Sequence, residues 1–209
     1  RFAVLPRLEV KNLSRSFGRL TVVDKISFKI SSGQVTCLLG PSGCGKSTTL
    51  RMIAGVDTPS SGQIFVDDEL ISSASFQVPP EARSIGLMFQ DFALFPHLNV
   101  QKNVCFGLNG SKEFKQKRSF DLLEKVGLAH LAFSYPHSLS GGEQQRVALI
   151  RALAPQPKIM LMDEPFSGLD DRLRDEIRDE TFNLLRTEDT AVLMVTHDPQ
   201  EAMKVADEI

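Results

Sequence analysis

Cysteine is scarce. Cys37, Cys44 and Cys105 are the three in 209 residues, an odd number with no CxxC spacing. That usage excludes a disulfide framework and a paired-cysteine metal site, and it fits a reduced, cytosolic chain. No run of about 18 apolar residues is present, so no segment is suited to cross a bilayer as a helix, and no signal-peptide pattern opens the sequence. Any membrane connection is therefore expected to come through a partner. Charge of one sign is not in excess either. The 24 Lys and Arg against 26 Asp and Glu leave a formal charge of −2, which implies no bulk attraction to nucleic acid or anionic lipid. Internal repeats and low-complexity tracts are also missing. A composition of 42% hydrophobic and 24% charged residues fits a globular chain of one large domain or two small ones. The sequence opens at Arg1 rather than Met and stops at Asp207-Glu208-Ile209 where an apolar segment begins, so a truncated C-terminal end is expected.

Residues 8–13 and 25–30 alternate apolar with polar, as half-buried antiparallel strands do. Residues 63–67 read as a further strand. From about 100 to 153 the pattern is helical, and strand patterns return at 158–162 and 191–195 around an acidic helix near 172–186. The expected architecture is an α/β core interrupted by a mostly helical insert.

Gly40-Pro41-Ser42-Gly43-Cys44-Gly45-Lys46-Ser47-Thr48 fits G-x-x-x-x-G-K-[ST] at every constrained position. It follows a buried-strand run, Val35-Thr36-Cys37-Leu38-Leu39, and precedes a helix expected over 48–54. Glycines there let backbone N–H groups converge on phosphate oxygens at a helix N-terminus. Lys46 is then placed to reach the β- and γ-phosphates, and the Ser47 hydroxyl to sit on Mg²⁺. A glycine-rich turn with a solvated lysine would explain the loop, but not strand, loop and helix arriving in this order. A nucleoside triphosphate is the expected ligand.

Four apolar strands end in groups suited to triphosphate chemistry: the phosphate loop, Gln90, Asp163-Glu164 and Thr196-His197. In an open, mostly parallel sheet the carboxyl ends of the strands line one ligand crevice. Asp163 is placed to hold Mg²⁺ through water, and Glu164 to act as general base on an attacking water. His197 suits a hydrogen bond to the γ-phosphate and the same water, and Gln90 suits both that water and Mg²⁺. Taken singly, the acidic pair would pass for a solvated strand end before Pro165, and His197 for a surface histidine.

Leu139-Ser140-Gly141-Gly142-Glu143 opens a helix running to about 154, with Ser140 and Glu143 spaced as a capping box. The capping box leaves the two glycines unexplained, since each costs about 1 kcal/mol relative to Ala inside a helix. Bare N–H groups at that helix start suit a second phosphate, hence two chains facing each other across shared nucleotides.

In this order the motifs resemble the nucleotide-binding domain of ATP-binding cassette transporters, over nearly the whole chain. The likeness comprises the phosphate loop, a Q-loop at Gln90, the signature at 139–143, a Walker B segment at 159–164, a D-loop at Ser167-Gly168-Leu169-Asp170 and a switch histidine at His197. Phe17, in Ser16-Phe17-Gly18, matches the family's adenine-stacking aromatic, though by itself it equally fits a core position. Glu143 stands where glutamine is commoner and Gly168 where alanine is usual. A capping glutamate points back toward Ser140, so Glu143 is expected to be tolerated.

The resemblance implies a P-loop NTPase core with a mostly parallel sheet, an antiparallel β subdomain near the N-terminus and an inserted α-helical subdomain. Approximately 1–95 and 155–209 would form the core and 96–154 the helical signature subdomain. It implies an ATPase with Lys46, Gln90, Glu164 and His197 in catalysis. Phe17, the loop 40–48, Ser140, Gly141, Gly142 and Asp170 would bind ATP, and Ser47, Gln90 and Asp163 would bind Mg²⁺. It implies a homodimer at the cytoplasmic face of the membrane, an integral membrane permease, a solute-binding protein reached indirectly, and no nucleic acid. Residues 89–100 and Tyr135-Pro136-His137-Ser138 resemble importer ATPases of the ferric iron, polyamine, sugar and sulfate group, in which a C-terminal regulatory domain often follows. The permease contact is expected between 90 and 104, where Phe92, Leu94, Phe95 and Leu98 cluster. A soluble cassette ATPase acting on nucleic acid or ribosomes is the alternative, but the coiled-coil insertion or tandem cassette of that class is not seen. A small-molecule kinase would leave Ser140-Gly141-Gly142 unexplained.

Overall fold

The structure is a computed structural model that describes residues 5–89 and 91–209. Its strands run β1 (Leu8–Phe17), β2 (Leu20–Ile30), β3 (Val35–Leu39), β4 (Ser61–Val66), β5 (Glu69–Ser73), β6 (Ile85–Met88), β7 (Ile159–Asp163) and β8 (Ala191–Thr196). The helices are α1 (Lys46–Ala54), α2 (Val100–Cys105), α3 (Lys112–Lys125), α4 (Gly141–Leu153), α5 (Asp171–Thr187) and α6 (Pro199–Val205).

The strands form two four-stranded sheets, ordered β2-β1-β4-β5 and β3-β8-β7-β6. The first is antiparallel, as its apolar–polar alternation requires. In the second, β3 and β7 both pair parallel to β8. β8 is buried along its whole length, which accounts for its unbroken apolar run up to Thr196. The hairpin joining β4 to β5 turns on Asp67 and Asp68, both at positive φ. Sequence patterning misses β5 because that turn carries no glycine signal.

The described residues up to Leu87, with Lys158–Glu164 and Asp189–Ile209, form one compact unit. Its core joins Leu8, Val10 and Ile64 of the antiparallel sheet, Leu50 and Ile53 of α1, and Leu161 and Leu193 of the parallel sheet. This layering, helix against sheet on both sides, is what aims the start of α1 at the strand ends.

A second unit holds Met88–Pro157 and Pro165–Glu188. The sequence-based division left 165–188 with the core, whereas here α5 groups with the helices. Its apolar face explains this: Ile177, Phe182 and Leu185 are buried, Phe182 lies 6.1 Å from Phe166, and α5 packs against α4. The long helical pattern from 100 to 153 resolves into α2, α3 and α4, the latter two capped by the hydroxyls of Ser111 and Ser140.

Candidate functional site

β3 delivers the chain to the phosphate loop, and Gly40 N–H donates to Thr196 O at 3.3 Å, so the loop starts beside the end of β8. α1 begins at Lys46, two residues earlier than periodicity suggests. Gly45 caps it with φ 92°, and a Cβ there would strike the carbonyl oxygen of Val22, so only glycine fits. Lys46 Nζ donates to Gly40 O at 2.5 Å and Pro41 O at 2.7 Å, and it lies 3.6 Å from Cys44 Sγ. The loop is thus folded around its own ammonium group. Ser42, Gly43, Cys44 and Ser47 are exposed, and Thr48 is half-buried.

The ends of β7 and β8 bring three further predicted residues to the same place. Asp163 is hydrogen-bonded to Ser47. Burial pushes the Asp163 carboxyl above the usual range and the Glu164 charge adds to that, while the Ser47 bond and Lys46 oppose it. Glu164 N–H donates to Val195 O at 3.0 Å, and its φ of 46° is one that residues with a side chain seldom adopt. Its Oε1 lies 2.8 Å from His197 Nδ1, and its Oε2 lies 3.3 Å from Thr196 Oγ1. That hydrogen bond with His197 and the charge of Glu164 raise the His197 pKa. Lys46, Ser47, Asp163, Glu164 and His197 therefore gather at one end of the parallel sheet. Gln90 lies outside the described residues.

Phe17 closes β1 and is 49% exposed, with Arg15 Cζ 4.5 Å from its ring centroid. The core position that its type alone allowed is excluded.

In the second unit, Ser140 Oγ accepts from Glu143 N–H at 3.2 Å, and Glu143 Oε1 accepts from Ser140 N–H at 2.9 Å. The capping box is complete, and the backbone bond from Ser140 holds the Glu143 carboxyl below its ordinary range. The two glycines differ. A Cβ on Gly142 would come within 2.6 Å of Ile177 Cδ1, whereas one on Gly141 meets nothing nearer than Leu169 Cδ2 at 4.0 Å. Close packing of α4 on α5 accounts for Gly142, which leaves only Gly141 for an anion to explain. Asp170 likewise serves the fold, since its Oδ1 accepts from Leu173 N–H at 3.1 Å and caps α5.

The apolar cluster expected to face a permease is half-buried at Phe92, Leu94, Phe95 and Leu98. Arg151 explains part of this. It donates to the carbonyls of Ala93 and Phe92 at 2.9 and 3.0 Å and stands over the Phe95 ring. Asn103, fully buried, bonds the backbone of Phe95 on both sides. The more exposed aromatics lie further on, at Phe106 (64%) and Phe133 (72%).

Sequence reasoning missed Thr196 as a hydrogen-bonding residue, Asp198 as the cap of α6, and the buried Glu201 bonded to Thr196. Asp198-Pro199 is a legible helix start. Nothing in the sequence marks Glu201, which reads as an ordinary helix-surface glutamate.

Residues 23–167 match the family described as ABC transporter. The chain is 45% identical over 207 residues to the Fe(3+) ions import ATP-binding protein FbpC 2 of Haemophilus influenzae, covering 98% of this chain and 58% of that protein. It is 46% identical over 212 residues to the putrescine transport ATP-binding protein PotG of Escherichia coli K12, covering 100% of this chain and 55% of that one. Among solved structures, the ADP conformation of MJ1267, an ATP-binding cassette of an ABC transporter, superposes with a TM-score of 0.85 at 25% identity, covering 97% of this chain and 85% of that one. The chain thus spans somewhat more than half the length of the curated relatives it matches. With the family's motifs in sequence order and its fold around them, the chain belongs to the ABC transporter family.

Proposed function

We propose that the chain is the ATP-binding and hydrolysing part of an importer, energising passage of a solute such as ferric iron or a polyamine through a membrane permease. The observation that carries this reading is the convergence of Lys46, Ser47, Asp163, Glu164 and His197 at the carboxyl end of β3, β7 and β8. Lys46 exchanges the carbonyls of Gly40 and Pro41 for phosphate oxygens, and Phe17 offers its open ring face to adenine. Ser47 and Asp163 would hold Mg²⁺. Hard oxygen donors suit that ion, and the half-buried Asp163 carboxylate gains a counter-charge. Among the described residues no group of three or more His, Cys, Asp or Glu forms a metal cage, so phosphate oxygens and water would complete the shell. When bound, Mg²⁺ offsets phosphate charge.

Glu164 takes the proton of the attacking water, and His197 fixes its Oε1. Gln90 follows β6 in sequence and is assigned to the same water. The exposed N-terminus of α4, Ser140 and Gly141, binds the γ-phosphate held by a second copy of the chain, which makes the working unit a dimer at the cytoplasmic face of the membrane. A permease supplies the path, as the relatives' import and transport names suggest; no helix among the described residues is long and apolar enough to cross a membrane. Its contact belongs to the helical unit, where Phe106 and Phe133 are exposed.

The test is a calorimetric titration with Mg-ATP. Lys46→Ala should weaken binding on the order of 10- to 100-fold, the value of hydrogen bonds to a charged group. Unchanged affinity would remove the phosphate-loop assignment.

A further inference from the structure

Behind Glu164 lies a second carboxylate that hydrolysis, as described above, does not use. Glu201 of α6 is buried, and its Oε2 accepts a 2.9 Å hydrogen bond from Thr196 Oγ1. The same hydroxyl lies 3.3 Å from Glu164 Oε2. A threonine hydroxyl donates one proton. Its acceptor side is occupied by Asp198 N–H at 3.1 Å, so the proton has two carboxylates to choose between. The shorter distance gives it chiefly to Glu201.

The arrangement is held from several directions. Thr196 is fully buried at the end of β8, and Asp198 Oδ1 ties the backbone N–H groups of Gln200 and Glu201. Both carboxylates are also felt inside the core. The Cys37 thiol is pushed up to about 12, first by burial and then by the charges of Glu201 and Glu164. With Oε1 of Glu164 bonded to His197 at 2.8 Å, Oε2 is the less engaged oxygen and the better acceptor of a proton from water.

We propose that Glu201 is a positioning residue for hydrolysis: it draws the Thr196 proton to itself and so keeps Glu164 Oε2 open to the attacking water. The proposal rests on Glu164 being the base. A neutral amide at 201 accepts a hydrogen bond less strongly than a carboxylate. The Thr196 hydroxyl then turns to Glu164, and its hydrogen bond makes Oε2 a weaker acceptor of the water proton.

Steady-state ATP hydrolysis tests this. Glu201→Gln should lower kcat on the order of tenfold, with KM and ATP affinity unchanged. Adding Thr196→Val removes the competing hydroxyl and should return most of the lost rate. A merely structural Glu201 would instead leave the double variant as slow or slower. A crystal structure of Glu201→Gln should show Thr196 Oγ1 closer to Glu164 Oε2 than 3.3 Å. Unchanged kcat in Glu201→Gln, or a double variant no faster than Glu201→Gln alone, overturns the proposal. Should Glu201→Gln not fold, Glu201→Asp, which withdraws the carboxylate by one methylene, carries the same expectations. Glu164→Gln measured alongside separates the two levels. If it turns over at the native rate, the base assignment falls and this proposal with it. If it is slow while Glu201→Gln is fast, only the role of Glu201 falls.

Discussion

Glu164 is held at a backbone angle that costs roughly 1–2 kcal/mol for a residue with a side chain. The restraints that hold it there are the bond to Val195 and the two contacts of its carboxylate. Strain of this kind concentrates where a side chain must be aimed. The cysteines make a separate statement about the same end of the sheet. Cys37 is buried with its thiol pushed up to about 12, so it stays protonated, and unreactive, through the neutral and mildly alkaline range. Cys44 is exposed on the phosphate loop, 3.6 Å from Lys46 Nζ. A maleimide at neutral pH should therefore label Cys44 in preference to Cys37, block nucleotide binding, and be kept off by Mg-ATP. Mass spectrometry of labelled peptides reads this. Equal labelling with and without nucleotide would place the Cys44 thiol away from the phosphates.

The start of α4 sets a closely packed glycine, Gly142, beside an open one, Gly141. Gly142→Ala forces a methyl to within 2.6 Å of Ile177, an overpacking that costs about 1–3 kcal/mol against roughly 1 kcal/mol returned by helix propensity. A lowered melting temperature is expected. Gly141→Ala has room and should leave the melting temperature unchanged or slightly higher, yet weaken dimerisation with ATP. If both variants only lose stability, the glycine pair is structural and the second phosphate site is not there. Ser140 and Glu143 were legible as a capping box because the interaction is local. The reason for Gly142 was not, because it depends on Ile177, far along the chain, and on how α4 crosses α5. The same holds for strands. β3, β7 and β8 announced themselves by apolar runs ending in polar groups, while β5 hid behind an Asp67-Asp68 turn. Phe92 to Leu98 read as a docking surface by composition, but Arg151 and Asn103 hold that stretch half-buried.

For the whole chain, the family and the meeting of the strand ends are readable because both rest on short motifs joined to a simple topology: parallel strands put their carboxyl ends together. Thr196 and Glu201 are not, since their meeting depends on the turn between β8 and α6. The proposed site, shared between one chain's phosphate loop and another's α4, needs a working unit of two copies. Glu164→Gln with saturating Mg-ATP should therefore accumulate as a species of twice the 23.1 kDa chain mass in light scattering. A mass that stays at one chain with nucleotide bound would count against the shared site. The most direct test of the account remains phosphate release from Mg-ATP by the native chain and by Glu164→Gln, in preparations shown by calorimetry to bind nucleotide. The native chain should release phosphate and the variant should lose on the order of 100-fold or more of that rate, with binding retained. Equal rates in the two would contradict it.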